Sequence, residues 1–143
     1  PDKEEELAIL DRFQTDSPLE QAQAVCTAKD IAALSQAAAQ VFVHPLLKNY
    51  LVDLVQATRN HPQIQNGASP RGSLSLYRAV RSYALIQGRD YAVPEDIKTL
   101  ATPVLAHRLT TARAFGARFL GRELINQLLN TVPLPTEDWR RRL

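Results

Sequence analysis

The sequence predicts an all-α fold, and three observations carry that prediction. Apolar residues recur at helical spacing in six separate runs. Those runs open at recognisable helix starts, and no strand-rich segment or internal repeat lies between them. With 143 residues, 45% of them apolar and 22% charged, the chain is of ordinary globular composition and long enough to bury one core.

The elements follow in order. Asp2 to Phe13 places acids in its first turn and Leu7, Ile9, Leu10 and Phe13 behind them, which matches the helix dipole and predicts an amphipathic helix. Gln14 to Val25 is polar and Gln-rich around Thr15-Asp16-Ser17-Pro18, and reads as a loop. Thr27 then caps a second helix, with Asp30 three residues on, and Ile31, Leu34, Ala38, Val41 and Phe42 recur on one face. Cys26, the only cysteine, allows no internal disulfide and reads as a small, partly buried side chain.

His44-Pro45 starts a third helix. Leu47, Tyr50, Leu51, Leu54, Val55 and Thr58 form its apolar stripe, and Asn60-His61-Pro62 stops it, because the residue before proline is pushed out of the α region. Gln63 to Ala68 reads as a loop. A fourth, central helix runs from Ser69-Pro70 to a stop at Gly88, with Arg71, Ser75, Arg78 and Ser82 on a narrow polar stripe. Leu76, Tyr77, Ala79, Val80, Tyr83, Ala84 and Ile86 cover the remainder, which predicts extensive burial.

Pro94, Glu95 and Asp96 start a fifth helix through Ile97, Leu100 and Val104, which Thr102-Pro103 should interrupt or kink. The pattern loosens from His107 to Phe119, where residues 108–119 allow a short hairpin arm. Arg122 to Asn130 carries Leu124, Ile125, Leu128 and Leu129 as a last helix, and Val132-Pro133-Leu134-Pro135 ends it in an extended tail. The expected division is a helical domain over residues 1–135 and a basic tail over 136–143.

One stretch stands out. In Asn66-Gly67-Ala68-Ser69-Pro70-Arg71-Gly72-Ser73-Leu74, Ser69 suits the N-cap and Pro70 the first helical position. Arg71 then falls in the first turn, where a cation opposes the positive end of the helix dipole at a cost of roughly 0.3–1 kcal/mol. Two readings account for it: an arginine aimed with the helix N–H groups at an anion, Gly67 letting backbone approach it, or a surface arginine on an ordinary helix.

Other chemistry is not encoded locally. The three histidines, His44, His61 and His107, are far apart, two precede proline, and each reads as a helix-end residue. No local spacing suits a metal, so none is expected. Gly116 and Gly121 have the spacing of a phosphate loop, but Arg122 and Glu123 stand where lysine and Ser/Thr are needed, and no strand precedes. No apolar run reaches membrane-spanning length, the acidic start is no signal peptide, and the chain reads as cytosolic. The absence of methionine and the opening on Pro1 suggest an excised piece of a longer protein. The net charge of +2 hides a gradient: residues 1–20 carry seven acids against two bases, and residues 104–143 seven arginines against three acids. Polar partner surfaces are therefore expected at both ends, while +2 gives little support for nucleic-acid binding.

Gly67-Ala68-Ser69-Pro70-Arg71, followed by Leu74, Leu76, Ala79 and Ala84, then Gly88-Arg89-Asp90-Tyr91 and Pro94-Glu95-Asp96-Ile97-Lys98, resembles the lid of MoxR-type AAA+ ATPases. The likeness continues through Pro103-Val104-Leu105 and His107-Arg108-Leu109. Pro1 to Leu10 is similar to the segment in which that family leaves its ATPase core, and Val132-Pro133-Leu134-Pro135 to its usual end. The resemblance implies an AAA+ lid-type helical bundle in which Arg71 is the sensor-2 arginine, reaching the γ-phosphate of ATP held by an upstream α/β ATPase domain. Gly67, Ala68, Ser69 and Pro70 would line the nucleotide side with it. It also implies ATP and Mg2+ in the parent protein, neither held tightly by this domain alone, a ring-shaped and usually hexameric assembly, a chaperone-like role, and von Willebrand factor A domain partners. The domain alone is expected to be inert. The P-loop, magnesium motif, sensor 1 and arginine finger are not in this chain, and Arg12 is not assigned the finger role. Residues 110–121 are richer in arginine than the family leads one to expect, so a neighbouring subunit could use the arm from Arg108 to Arg122. The competing reading is a free-standing helical module that binds protein or nucleic acid through its arginine-rich face.

Overall fold

The computed structural model describes residues 1–13, 22–111 and 117–140, and the side chains of all of these except 117–119. They form six helices, one short 3-10 turn and two very short strands. Two units are distinguished, residues 1–33 and 34–143.

The first unit holds α1, Lys3–Arg12, and the start of α2, Ala28–Gln40. At α1, Asp2 and Glu5 exchange hydrogen bonds between side chain and backbone, a reciprocal cap that satisfies donors the helix cannot. Leu7, Ile9, Leu10 and Phe13 are all exposed. The Thr27–Asp30 cap expected for α2 is present in both directions. Most of the Gln14–Val25 loop lies outside the described residues. Cys26 is exposed rather than partly buried, because nothing described packs over its turn.

The second unit has the core. α2 buries nothing: Ile31 and Leu34 are more than half exposed and only Ala38 is half-buried. Its stripe divides because the helix ends at Gln40, and Val41 and Phe42 enter an extended segment instead. Phe42 there makes a parallel bridge with Tyr91, through Phe42 N–H to Asp90 O at 2.8 Å and Ala92 N–H to Phe42 O at 2.9 Å.

α3, Pro45–Asn60, buries the six residues of the expected stripe. Each apolar side chain taken fully out of water contributes about 1.5–3 kcal/mol. The ring of His44 accepts the Leu46 N–H through Nδ1 and so caps this helix, while His61 receives the Gln63 N–H just past its end. α4, Pro70–Ile86, packs chiefly on α5, Pro94–Leu105, and also on α3. It buries Gly72, Leu76, Val80 and Ala84, a narrower face than its composition suggested; Ile86 is 77% exposed. Pro103 does not interrupt α5, since it falls in the last turn, where one lost backbone bond is tolerated before the 3-10 turn Ala106–Arg108 begins.

Two details depart from the loops expected. Residues Ile64–Asn66 form β1, which pairs antiparallel with β2, Thr110–Thr111. A strand in the 108–119 region therefore exists but finds its partner far back in the chain, and residues 112–116 lie outside the described ones. α6, Ala117–Thr131, starts earlier than expected and packs on the 3-10 turn, α5, α3 and β2. It also takes in Gly121, Arg122 and Glu123, so that end of the phosphate-loop spacing is helix, while Gly116 lies outside the described residues. Beyond it, Trp139 packs edge-on against His44 at 5.8 Å, and Arg140 Nε donates to the Tyr91 hydroxyl at 2.8 Å.

Candidate functional site

The start of α4 is held by the end of α3. Thr58, fully buried, donates through Oγ1 to Val55 O at 2.6 Å and accepts the Ala68 N–H at 2.9 Å. Arg59 Nε donates to Ala68 O at 2.8 Å, so both backbone groups of Ala68 are satisfied by neighbouring residues of one helix end. Gly67 permits this approach: a Cβ there would lie 2.7 Å from Arg59 Cα, Arg59 N and Thr58 C. All three are backbone atoms that cannot move aside. Gly67 is thus needed for packing inside the domain, whatever else it faces.

From this fixed point the chain turns into α4. Ser69 takes the extended N-cap conformation, but its hydroxyl makes no capping hydrogen bond, so the first-turn N–H groups receive nothing from it. Pro70 occupies the first helical position as expected. Arg71 is exposed, and its guanidinium has no hydrogen-bond or ion-pair partner among the described residues. Its carbonyl accepts the Ser75 hydroxyl at 2.9 Å.

Two further arginines approach the same helix start. Arg59 is there through its bond to Ala68, and the Arg108 Cδ lies 3.8 Å from where a Cβ on Gly72 would stand. Arg59 was not legible as a site neighbour, because only the docking of Ala68 on α3 brings it there. Beside Pro70, Val52, Leu74 and Tyr77 line an apolar hollow of about 360 Å3. The arrangement suits an anion: Pro70 has no N–H and the Gly72 N–H turns back to Ser69 O at 2.7 Å, which leaves the Arg71 N–H without a side-chain cap beside a guanidinium that has no ion-pair partner among the described residues. It does not suit a metal, since no three His, Cys, Asp or Glu side chains converge among the described residues.

The second arginine motif is built oppositely. Gly88, at φ 73°, ends α4 with Gly88 N–H on Leu85 O and Arg89 N–H on Ala84 O, both 2.9 Å, a paired closure that needs a residue tolerant of positive φ. Arg89 then forks onto Asp96, at 2.9 and 2.6 Å, and also donates to Tyr91 O at 2.9 Å. Asp96 is buried in the first turn of α5 and accepts the Val93 N–H at 2.9 Å. The hydrogen bond to Asp96 raises the Arg89 pKa, outweighing the downward pull of burial.

Comparison with known proteins bears on this pair of motifs. Residues 56–128, from the last turn of α3 into α6, match the model of the AAA lid domain. The chain belongs to the AAA lid domain family, as the lid of a MoxR-type AAA+ ATPase. It is 39% identical over 145 aligned residues to the chaperone MoxR1 of Mycobacterium tuberculosis, covering 94% of this chain and 38% of that protein. It is 34% identical over 140 residues to YeaC of Bacillus subtilis, covering 96% of this chain and 43% of YeaC. The crystal structure of a "putative ATPase" from Cytophaga hutchinsonii superposes with a TM-score of 0.76 at 29% identity, over 94% of this chain and 44% of that one. The lid spans less than half the length of these relatives. No helix among its described residues is long and apolar enough to cross a membrane.

Proposed function

We propose that this lid completes the ATP site of a MoxR-type ATPase by placing Arg71 on the terminal phosphate of ATP held in an upstream α/β domain. The observation that supports the reading most is the combination at Arg71: a cation in a helix first turn, exposed, without a partner, on a start that Gly67, Ala68 and Thr58 hold rigid. Isolated, such a placement is mildly unfavourable; facing a phosphate, its sign reverses. Ser69 and Pro70 precede the arginine in the same helix start, and the Arg71 N–H, which has no side-chain cap, adds positive potential.

In this reading ATP is the substrate, and the residues that hold Mg2+ belong to the upstream domain, because the lid's described residues gather no carboxylate cluster. The lid binds and orients; it does not supply a nucleophile or base. The apolar hollow beside Pro70 gives the ATPase domain a surface to rest on. Loss of the Arg71 contact after hydrolysis frees the lid to move, which is how nucleotide state is passed to a protein client. The assembly is a ring, hexameric by resemblance, cytoplasmic and chaperone-like, working with von Willebrand factor A domain proteins.

The test is Arg71→Ala in the whole ATPase. Removing one preorganised cation from a developing phosphate charge lowers kcat by about 10²–10³. The melting temperature of the lid stays unchanged. Turnover at the wild-type rate would overturn the assignment.

A further inference from the structure

A second pair of cations on α4 is left unused by the Arg71 site. Arg78 and Arg81, one turn apart, line a cavity of about 260 Å3 with Ser82 and, from the last turns of α2, Ser35, Ala38 and Ala39. All six residues belong to the 34–143 unit. Neither arginine has an acidic partner among the described residues. The Arg81 Nε is buried with no hydrogen-bond acceptor among them, although its guanidinium lies 5.2 Å from the centre of the Tyr77 ring. A buried donor without an acceptor is rare, and the ring contact satisfies the charge without satisfying the N–H.

We propose that this cavity is an oxyanion site that takes the carboxylate of a glutamate or aspartate presented by a protein partner, with Arg81 as the hydrogen-bonding fork and Arg78 as the second cation. Three features favour a side-chain carboxylate. The Tyr77 ring holds the Arg81 guanidinium in place, so a bidentate acceptor meets a preorganised fork. Ala38 and Ala39 bring only methyl groups from α2, which leaves room for an incoming side chain and suits its methylene stem. The volume falls below the roughly 300–1,000 Å3 of sites for whole small-molecule ligands, so a nucleotide does not fit. The site is independent of the Arg71 reading and stands if that reading fails.

The chain is titrated at low salt with a blocked peptide carrying two adjacent glutamates while the Arg81 Nε–H resonance is followed by NMR. The resonance is expected to shift saturably, and the same peptide with glutamines to leave it unmoved. Inorganic phosphate, the same chemistry from a free source, is expected to compete with the peptide. Arg78→Gln weakens peptide binding about ten-fold. Arg78→Lys, which keeps the charge and loses the planar donor set, falls between. Melting temperatures separate loss of the site from loss of the fold, and Arg78, being exposed, carries the test if Arg81→Gln unfolds. No shift with the glutamate peptide, including the case in which phosphate shifts the resonance and the peptide does not, or an equal shift with the glutamine peptide overturns the proposal.

Discussion

Arg71 and Arg89 stand at the two ends of α4, and each follows directly from its own short motif. Arg89 spends its donors inside the lid: it forks onto a carboxylate that is only 2% exposed, reaches a backbone carbonyl, and closes the turn between α4 and α5. Arg71 spends none of its side-chain donors on the described residues, although Ala68, three residues before it, is bonded to the end of α3 through both of its backbone groups. In the proposed reading, that positioned and unpaired guanidinium faces a phosphate outside the lid. The contrast is between an arginine committed inside the fold and one that the proposal assigns to a ligand, and substitutions at each position test it.

The largest effect falls at Arg89. Arg89→Ala leaves the buried Asp96 carboxylate with a single N–H donor, and the lid loses about 2–4 kcal/mol in urea unfolding. The double change Arg89→Met with Asp96→Leu recovers most of that, because removing both charges also removes the desolvation penalty. The raised Arg89 pKa sets the sign of any pH effect: its contribution is complete below the unfolded value and fades only as pH climbs through the folded one, in strong alkali. Gly67→Ala comes next. Its methyl meets backbone at 2.7 Å, so α3 and the α4 start must separate, at about 1–3 kcal/mol. Because that shift also moves Arg71, the same variant in the whole ATPase lowers turnover.

Arg71 itself is expected to matter little to folding. Arg71→Glu exchanges an unfavourable charge for a favourable one at the helix start and stabilises the isolated lid by about 0.5 kcal/mol, measured by the same unfolding curves. In the whole ATPase it is inactivating. A variant that gains stability while activity is lost is the signature of a ligand-facing residue. A loss of stability at Arg71→Glu would instead reveal an internal acceptor for this arginine.

The helices were legible because their signals are local. The α3 stripe matched residue for residue, since helical spacing and a proline at each boundary determine it. α2 has the same periodicity yet exposes Ile31 and Leu34; a pattern shows which face is apolar, not whether anything lies against it. β1 was illegible for a related reason, as three residues carry no period and their partner Thr110–Thr111 lies far along the chain. At the site, Arg71 could be singled out because its charge conflicts with its position. Arg59, the Ser69 hydroxyl that does not cap, and the Arg78–Arg81 cavity depend on how helix ends meet in space, which spacing does not encode.

The smallest effect concerns the start of α2, where a cap is formed wholly in solvent. The Asp30 carboxylate accepts the Thr27 hydroxyl at 2.7 Å and the Thr27 N–H at 2.8 Å, and these bonds hold its pKa below the usual carboxylate value. Its contribution is therefore present above the unfolded pKa and is lost as pH falls through the lowered, folded one. Since the group is fully exposed, the consequence is local: the first turn of α2 frays while the core of residues 34–143 stays folded. Cα chemical shifts of residues 28–32 followed down an acid titration should report that fraying in the wild type. Asp30→Asn should make them flat over the same range, with the first turn already partly frayed at neutral pH. The buried Arg89–Asp96 pair should show the opposite dependence on position, destabilising the whole unit at once when broken, because there the charge cannot turn to water.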